Sequence, residues 1–297
     1  LKIKYGGKDM KKILGCLMIL LFLAISPIQT NAADITVVLQ ENRNIGRLLG
    51  IDEKYDLYPG LMDANELKKL GRIIKDLPLL EARFKIKILP NIFDVPEGEK
   101  EIKDYAVGIF RGDYILSVAH FTKNPSYDLN TPFGARPVPI EVGERKIFIS
   151  VSEKKLELRE IKIDFEQDWA LFETPEELKG KYLSPKIGES NELKPGHFLY
   201  FIGRSFDDGI LLRSGIIEAE NFELRDTGLA IKKEDVFAMS GGVYPGDSGG
   251  PVFALRDGKL ELVGIMKSTR LYTNIGHALK IGPILEKIKA ATGIDLR

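Results

Sequence analysis

The sequence predicts an all-β protein of two antiparallel β-barrels, with a helical extension before them and a helix after them. Three observations carry this. From Phe84 onward, short runs rich in β-branched and aromatic residues alternate with turn residues, the pattern of antiparallel all-β folds. A polar stretch, Glu173 to Glu192, splits those runs into two sets. Apolar residues recur at helical spacing on either side of the two sets, before Pro78 and after Gly282.

Residues 1–33 read as a leader. Lys11 and Lys12 precede the apolar run Ile13–Ile25, and Thr30-Asn31-Ala32-Ala33 closes it with small residues. Basic start, apolar middle and small exit are the layout of a secretory signal peptide cut after Ala32 or Ala33, not of a membrane span. Met10 is the expected start, which makes Leu1–Asp9 an over-extended beginning. Gly6-Gly7 then fits read-through of a purine-rich ribosome-binding site. Cys16 is the one cysteine, and most of the apolar run follows it, the wrong order for a lipoprotein acylation box. A mature chain without disulfides is expected to be a bacterial protein, secreted or periplasmic.

The whole chain balances 43 basic against 43 acidic residues. Loss of 1–33 removes five lysines and one aspartate, leaving four acidic groups in excess. No basic patch stands out, so a nucleic-acid partner is not expected.

Residues 34–83 form the extension. Asp63-Ala64-Asn65-Glu66 has the spacing of a capping box, and Leu67, Leu70, Ile73, Ile74 and Leu77 follow at helical spacing until Pro78. The residues leave open whether this is a propeptide or a permanent brace. The first barrel is expected over about 84–175, with runs Phe84–Leu89, Tyr105–Phe110, Tyr114–Val118, Lys146–Val151, Lys155–Ile163 and Trp169–Phe172. Thr131–Gly143, bearing Pro and Gly, reads as a loop within it. The second barrel is expected over about 195–281, with runs His197–Ile202, Ile210–Ala219, Val236–Ser240, Pro251–Leu255, Leu260–Ser268 and His277–Ile281. Ile284, Leu285 and Ile288 mark the closing helix in Gly282–Ala291.

Chemistry concentrates in Gly246-Asp247-Ser248-Gly249-Gly250-Pro251. A serine hydroxyl needs a base to take its proton and a dipole cradle for the charge it creates. Flanking glycines let the chain expose Ser248 and turn the N–H groups of Gly246 and Ser248 into one small oxyanion hole. The chain has three histidines. His120 ends the apolar run Asp113–His120, where a strand leaves a barrel wall, and Asp168 opens the run Asp168-Trp169-Ala170-Leu171-Phe172. An acid so placed can fix the tautomer of a base. His197 lacks ligand spacing and reads as structural, and no histidines stand at i and i+4, so neither a metal nor a cofactor is implied.

In these segments the chain resembles the trypsin/chymotrypsin-fold serine peptidases, in the bacterial branch that includes the HtrA proteases. Tyr114–His120 is similar to the histidine strand of that family, Asp168–Phe172 to its aspartate strand, and Tyr244–Pro251 to its serine loop. Tyr200-Phe201-Ile202-Gly203 with Arg213–Ile217 resembles the hairpin entering the second barrel. Leu262–Ile265 and Ile275–Ile281 resemble the pocket-wall strands. The resemblance runs from about Phe84 to Ile288 and implies Greek-key barrels and the chain order His, Asp, Ser. Two departures stand out: Asp247 occupies a position where HtrA proteases usually carry Asn, and few residues follow the last helix, so no PDZ domain is expected.

The resemblance implies a serine endopeptidase acting on proteins or peptides, with nucleophile Ser248, base His120 and orienting acid Asp168. The alternative is a catalytically silent binding module or chaperone, which would ordinarily lack a triad member. Asp247 needs a cationic partner, either a new N-terminus released by cleavage or an internal arginine; Arg204 is the internal candidate, its other reading being a surface turn residue. Gly242, six places before the serine, falls at the base of the substrate pocket, with Met266, Lys267, Ser268 and His277 on the walls. Gly242 carries no charge to receive Arg or Lys, so cleavage after an apolar residue is expected. An acidic residue received by Lys267 or His277 is the second choice.

Overall fold

A computed structural model of the chain describes residues 62–90, 96–131, 134–205, 209–224, 229–270 and 274–297. The expected signal segment, Cys16 and the first part of the extension lie outside these residues. Helix α1, Ala64–Lys75, starts where the sequence says it should: Asp63 caps it by accepting the Asn65 N–H at 2.6 Å. The second half of the capping box is not made. Glu66 turns away instead, pairing with Lys69 and accepting the Leu260 N–H at 3.3 Å, so its carboxylate ties the helix to the second barrel. Leu70 is buried, while Leu67 stays in solvent.

Strand β1, Leu79–Ile88, follows directly and lies between β2, Gly98–Val107, and β7, Ile140–Val151; β8, Lys154–Glu157, completes the sheet. Leu80, Ala82, Phe84, Ile86 and Ile88 all point inward, the period-two pattern of a strand with one wet face. Each of the larger ones stabilises the fold by roughly 2 to 3 kcal/mol through burial. The expected domain boundary at 84 therefore falls inside a central strand. Glu81 and Arg83 disguise its first half, because they occupy the outward positions and pair with each other there.

A second four-stranded sheet has the order β3, Ile109–Arg111, then β4, Tyr114–Ser117, then β10, Trp169–Glu173, then β9, Arg159–Asp164. Its Ile115, Leu116, Trp169 and Phe172 share one buried core with the first sheet, and Phe121, just past β4, joins them. The stretch expected as a loop overlaps a small ribbon, β5, Asp128–Thr131, paired with β6, Gly134–Pro137, and then enters β7.

The second half is a closed six-stranded barrel. Its strands are β11, Phe198–Gly203; β12, Leu211–Ala219; β13, Val236–Ser240; β14, Pro251–Arg256; β15, Lys259–Arg270; and β16, Ile275–Lys280. They close in the order β11-β12-β13-β16-β15-β14 around Leu199, Phe201, Phe237, Val252 and Met266. Closure leaves no open sheet edge. Helix α2, Ile281–Thr292, then lays Ile284, Leu285 and Ile288 onto the core. Among the described residues, no helix is long and apolar enough to cross a membrane. This is the chymotrypsin-like all-β architecture, with a helix at each end of the described chain.

Candidate active site

The two halves meet at the serine loop, where the Val107 N–H donates to the Ser248 carbonyl at 2.7 Å. Tyr244, Pro245, Gly246 and Asp247 form a turn closed by the Asp247 N–H on the Tyr244 carbonyl at 3.0 Å. Pro at its second position and Gly246 at φ +94° in its third make it a type II turn, which demands positive φ there. Gly249, at φ +84°, is fixed by contact as well as conformation. A Cβ there would lie 2.0 Å from the Val107 carbonyl oxygen and drive the loop off the first half of the molecule.

Asp247 is fully buried under this loop. It accepts the Ser205 hydroxyl at 2.9 Å and the Tyr244 N–H at 2.7 Å, and it pairs with Arg213. Arg213 reaches it from β12, with its guanidinium between the Phe201 and Tyr244 rings at 5.2 and 5.3 Å. The candidate partner Arg204 instead stacks over Tyr105 at 5.5 Å. Strand pairing explains the difference: Arg213 stands opposite Phe201, two residues before Gly203 on the neighbouring strand. That cross-strand register is invisible along the chain.

His120 begins a single 3-10 turn, His120–Thr122, just past β4. The Thr122 hydroxyl fastens the turn by donating to the Ala119 carbonyl at 2.8 Å. Asp168 precedes β10 in the left-handed region, at φ +56°, a conformation Asp tolerates better than most residues. This conformation carries its carboxylate under the histidine turn. Oδ1 accepts the backbone N–H groups of Ala119 and His120 at 3.1 and 2.9 Å, and both oxygens lie 3.0 to 3.1 Å from His120 Nδ1. The other ring nitrogen, Nε2, is 2.9 Å from Ser248 Oγ. The structure thus brings His120, Asp168 and Ser248 together from three distant parts of the chain.

Lys267 departs from the expectation. Its ammonium lies 2.7 Å from Asp168 Oδ2, and the side chain is only 6% exposed. Its ammonium is thus committed to Asp168 rather than turned outward. The cause is a β-bulge: in the pairing of β15 with β16, Met266 faces Ala278 and Ser268 faces His277, so Lys267 has no partner and turns toward Asp168. Burial alone would raise the Asp168 pKa. The hydrogen bond and charge of His120 and the charge of Lys267 outweigh it and hold the group at about 2.

His277 is buried too, with Nδ1 3.2 Å from Ser268 Oγ and its ring stacked on Phe222 at 4.5 Å. It is therefore no open receiver for a substrate carboxylate. Gly242 is buried at φ +48° and donates its N–H to the Asn274 carbonyl at 3.0 Å. Tyr244 and Asn274 crowd the place a side chain would take. His197 is a buried strand-start residue whose Nδ1 accepts the Lys194 N–H at 3.0 Å.

The architecture and the meeting of these groups define a trypsin-fold serine peptidase. The model of the trypsin-like peptidase domain matches residues 108–265, more than half of the chain, which therefore belongs to that family. A "Probable periplasmic serine endoprotease DegP-like" from Marinomonas sp. (strain MWYL1) is 37% identical over 111 residues, 37% of this chain and 22% of that protein. Its namesake from Ectopseudomonas mendocina (strain ymp) is 31% identical over 134 residues, 44% of this chain and 25% of that one. The chain thus spans about a quarter of the length of these curated relatives.

Among solved structures, the HtrA-type protease AlgWS227A with decapeptide superposes with a TM-score of 0.57 at 17% identity. The match covers 77% of this chain and 68% of that one. The active form of the Rv3671c protease from M. tuberculosis gives 0.52 at 16% identity, over 79% and 88%. These show that the fold is shared.

Proposed function

We propose that this chain is an exported serine endopeptidase that works through an acyl-enzyme on Ser248. The observation that carries the reading is the unbroken run of hydrogen-bond distances from Asp168 through His120 to Ser248 Oγ. Ser248 Oγ attacks the scissile carbonyl carbon while its proton passes to His120 Nε2. The carbonyl π pair moves onto oxygen, where the N–H groups of Gly246 and Ser248 receive it. Each such donor is worth roughly 10²- to 10³-fold in turnover. Collapse breaks the C–N bond, and the departing amine takes the proton from Nε2. Water then gives a proton to Nε2, attacks the ester, and releases Ser248 with that proton restored. Asp168 holds the ring with Nε2 toward the serine and stabilises the imidazolium at each stage.

Arg213 already supplies the cation that Asp247 needs, so activity requires no new N-terminus from cleavage. Helix α1 and the start of β1 are a permanent brace, since Glu66 and Leu70 join them to the barrels. Residues 1–33 are the leader that exports the protein, and the word "periplasmic" in both relatives' names supports that reading. Cleavage follows an apolar residue: Ser240, Gly241, Gly242 and Val243 offer a cationic side chain no charge. The acidic alternative weakens because Lys267 is committed to Asp168 and His277 is buried. A peptide library tests this. The wild-type protein should cut after apolar residues and the Ser248→Ala protein should cut nothing. An uncut library would favour a silent binding module, and predominant cuts after Arg or Lys would refute the pocket assignment.

A further inference from the structure

We propose that Lys267 is a positioning residue that tunes the proton affinity of His120 through Asp168, making the site a lysine–aspartate–histidine–serine relay rather than a triad. The inference rests on the catalytic reading above. Its geometry has three parts. Lys267 Nζ contacts Oδ2 of the acid at 2.7 Å. The same carboxylate holds His120 Nδ1 and two backbone N–H groups. The backbone carbonyl of Lys267 lies 3.3 Å from Ser248 Oγ, so one residue touches both the acid and the nucleophile.

The cation and the acid are both nearly closed to solvent, with the lysine side chain 6% and the aspartate 1% exposed. Water therefore screens them little. An isolated carboxylate beside Nδ1 favours protonated imidazole. A lysine ammonium on that carboxylate cancels much of this field, so the neutral ring persists to lower pH. Asp104 on β2 is another charged group within electrostatic reach of His120. It stays unchanged in every variant below. Removal of the ammonium leaves the field of Asp168 uncompensated and favours the imidazolium. The neutral base then appears only at higher pH, and the acidic limb of activity moves up. For a unit charge one carboxylate away from the ring in a medium of effective dielectric near 20, the shift is roughly one to two pH units.

The bulge at residue 267 is the structural device that makes this possible. Regular pairing would continue the alternation along β15 and give the side chain after Met266 a partner on β16. The extra residue breaks the ladder locally and re-aims the lysine under Asp168.

The test reads the ring itself as well as the reaction. In the full chain carrying Ser248→Ala, the His120 ring is titrated by ¹H–¹⁵N NMR, with and without Lys267→Met. In the active protein, kcat/KM is followed against pH for the same change. The expected result is an upward move of about one to two pH units in both the ring midpoint and the acidic limb. Lys267→Arg keeps the charge and should hold the ring midpoint within about 0.3 units of wild type. If Lys267→Met does not fold, Lys267→Gln carries the same expectation. A ring midpoint unmoved by loss of the charge would make Lys267 a structural brace and overturn the proposal, and so would an arginine variant that shifts as far as the neutral one. The NMR arm needs no turnover, so it still decides the matter if the peptidase reading itself fails.

Discussion

Asp168 and Asp247 are buried carboxylates less than a hundred residues apart in sequence, and each is held by one internal cation. Around Asp247, Arg213, the Ser205 hydroxyl and the Tyr244 N–H satisfy both oxygens, and among the described residues no histidine bonds to them. That acid is a fastener for the serine loop. Asp168 has the same two kinds of partner, a cation and backbone N–H groups, but shares them with the histidine that faces Ser248. Neutralising a buried acid is a matter of stability in one place and of proton affinity in the other. What separates the two roles is whether a base stands on the remaining lone pairs.

The largest effects should come from the Asp168 side. Ser248→Ala or His120→Ala should leave a folded protein with turnover down by roughly 10⁵ to 10⁶, because nucleophile and base act as a unit. Asp168→Asn should cost about 10⁴, through a ring held in the wrong tautomer. On the Asp247 side the expected loss is first of stability. Arg213→Ala strands a buried carboxylate and should lower unfolding free energy by about 3 to 5 kcal/mol, measured by urea denaturation. Adding Asp247→Asn to Arg213→Ala should recover much of that loss. If Arg213→Ala and Asp168→Asn gave the same pattern of lost stability and lost turnover, the distinction between the two acids would fail.

A third effect is smaller and depends on pH. The folded-state pKa of Asp168, about 2, lies below the ordinary aspartate value of 3.8. A lowered carboxylate pKa contributes stability that is complete above the unfolded value and disappears as pH falls through the folded one. That contribution is on the order of 2 kcal/mol and should fade between about pH 4 and pH 2. Urea midpoints across this range should fall more steeply for wild type than for Asp168→Asn. The smallest effect is Arg204→Ala. It removes a stacking contact worth about 1 kcal/mol or less, and peptidase turnover should stay within about twofold.

The elements that read clearly from the sequence are those set by local pattern. The second-barrel strand runs, both helices and the Gly-rich serine loop depend on spacing within a few residues and are found in the structure, whereas Tyr105–Phe110 and Lys155–Ile163 each straddle a break between two strands. The roles of Lys267 and Arg213 are not legible in the chain because their partners are assigned by strand register and by one extra residue in β15. A chain read in order carries no mark of either. The first half of β1 was hidden by its outward-facing Glu81 and Arg83. Glu66 matched a capping box but serves an inter-element bond to Leu260. The Asp168 strand was legible, but not the lysine beneath it, because a lone Lys on a strand is ordinarily a solvated one.

Reaction with a fluorophosphonate probe, followed by intact mass and peptide mapping, tests the central claim most directly. The account predicts one adduct per chain, on Ser248, formed by the wild-type protein and essentially absent from the folded His120→Ala protein. A wild-type protein that stays unlabelled, or an adduct on Ser248 that forms equally fast without His120, would contradict it.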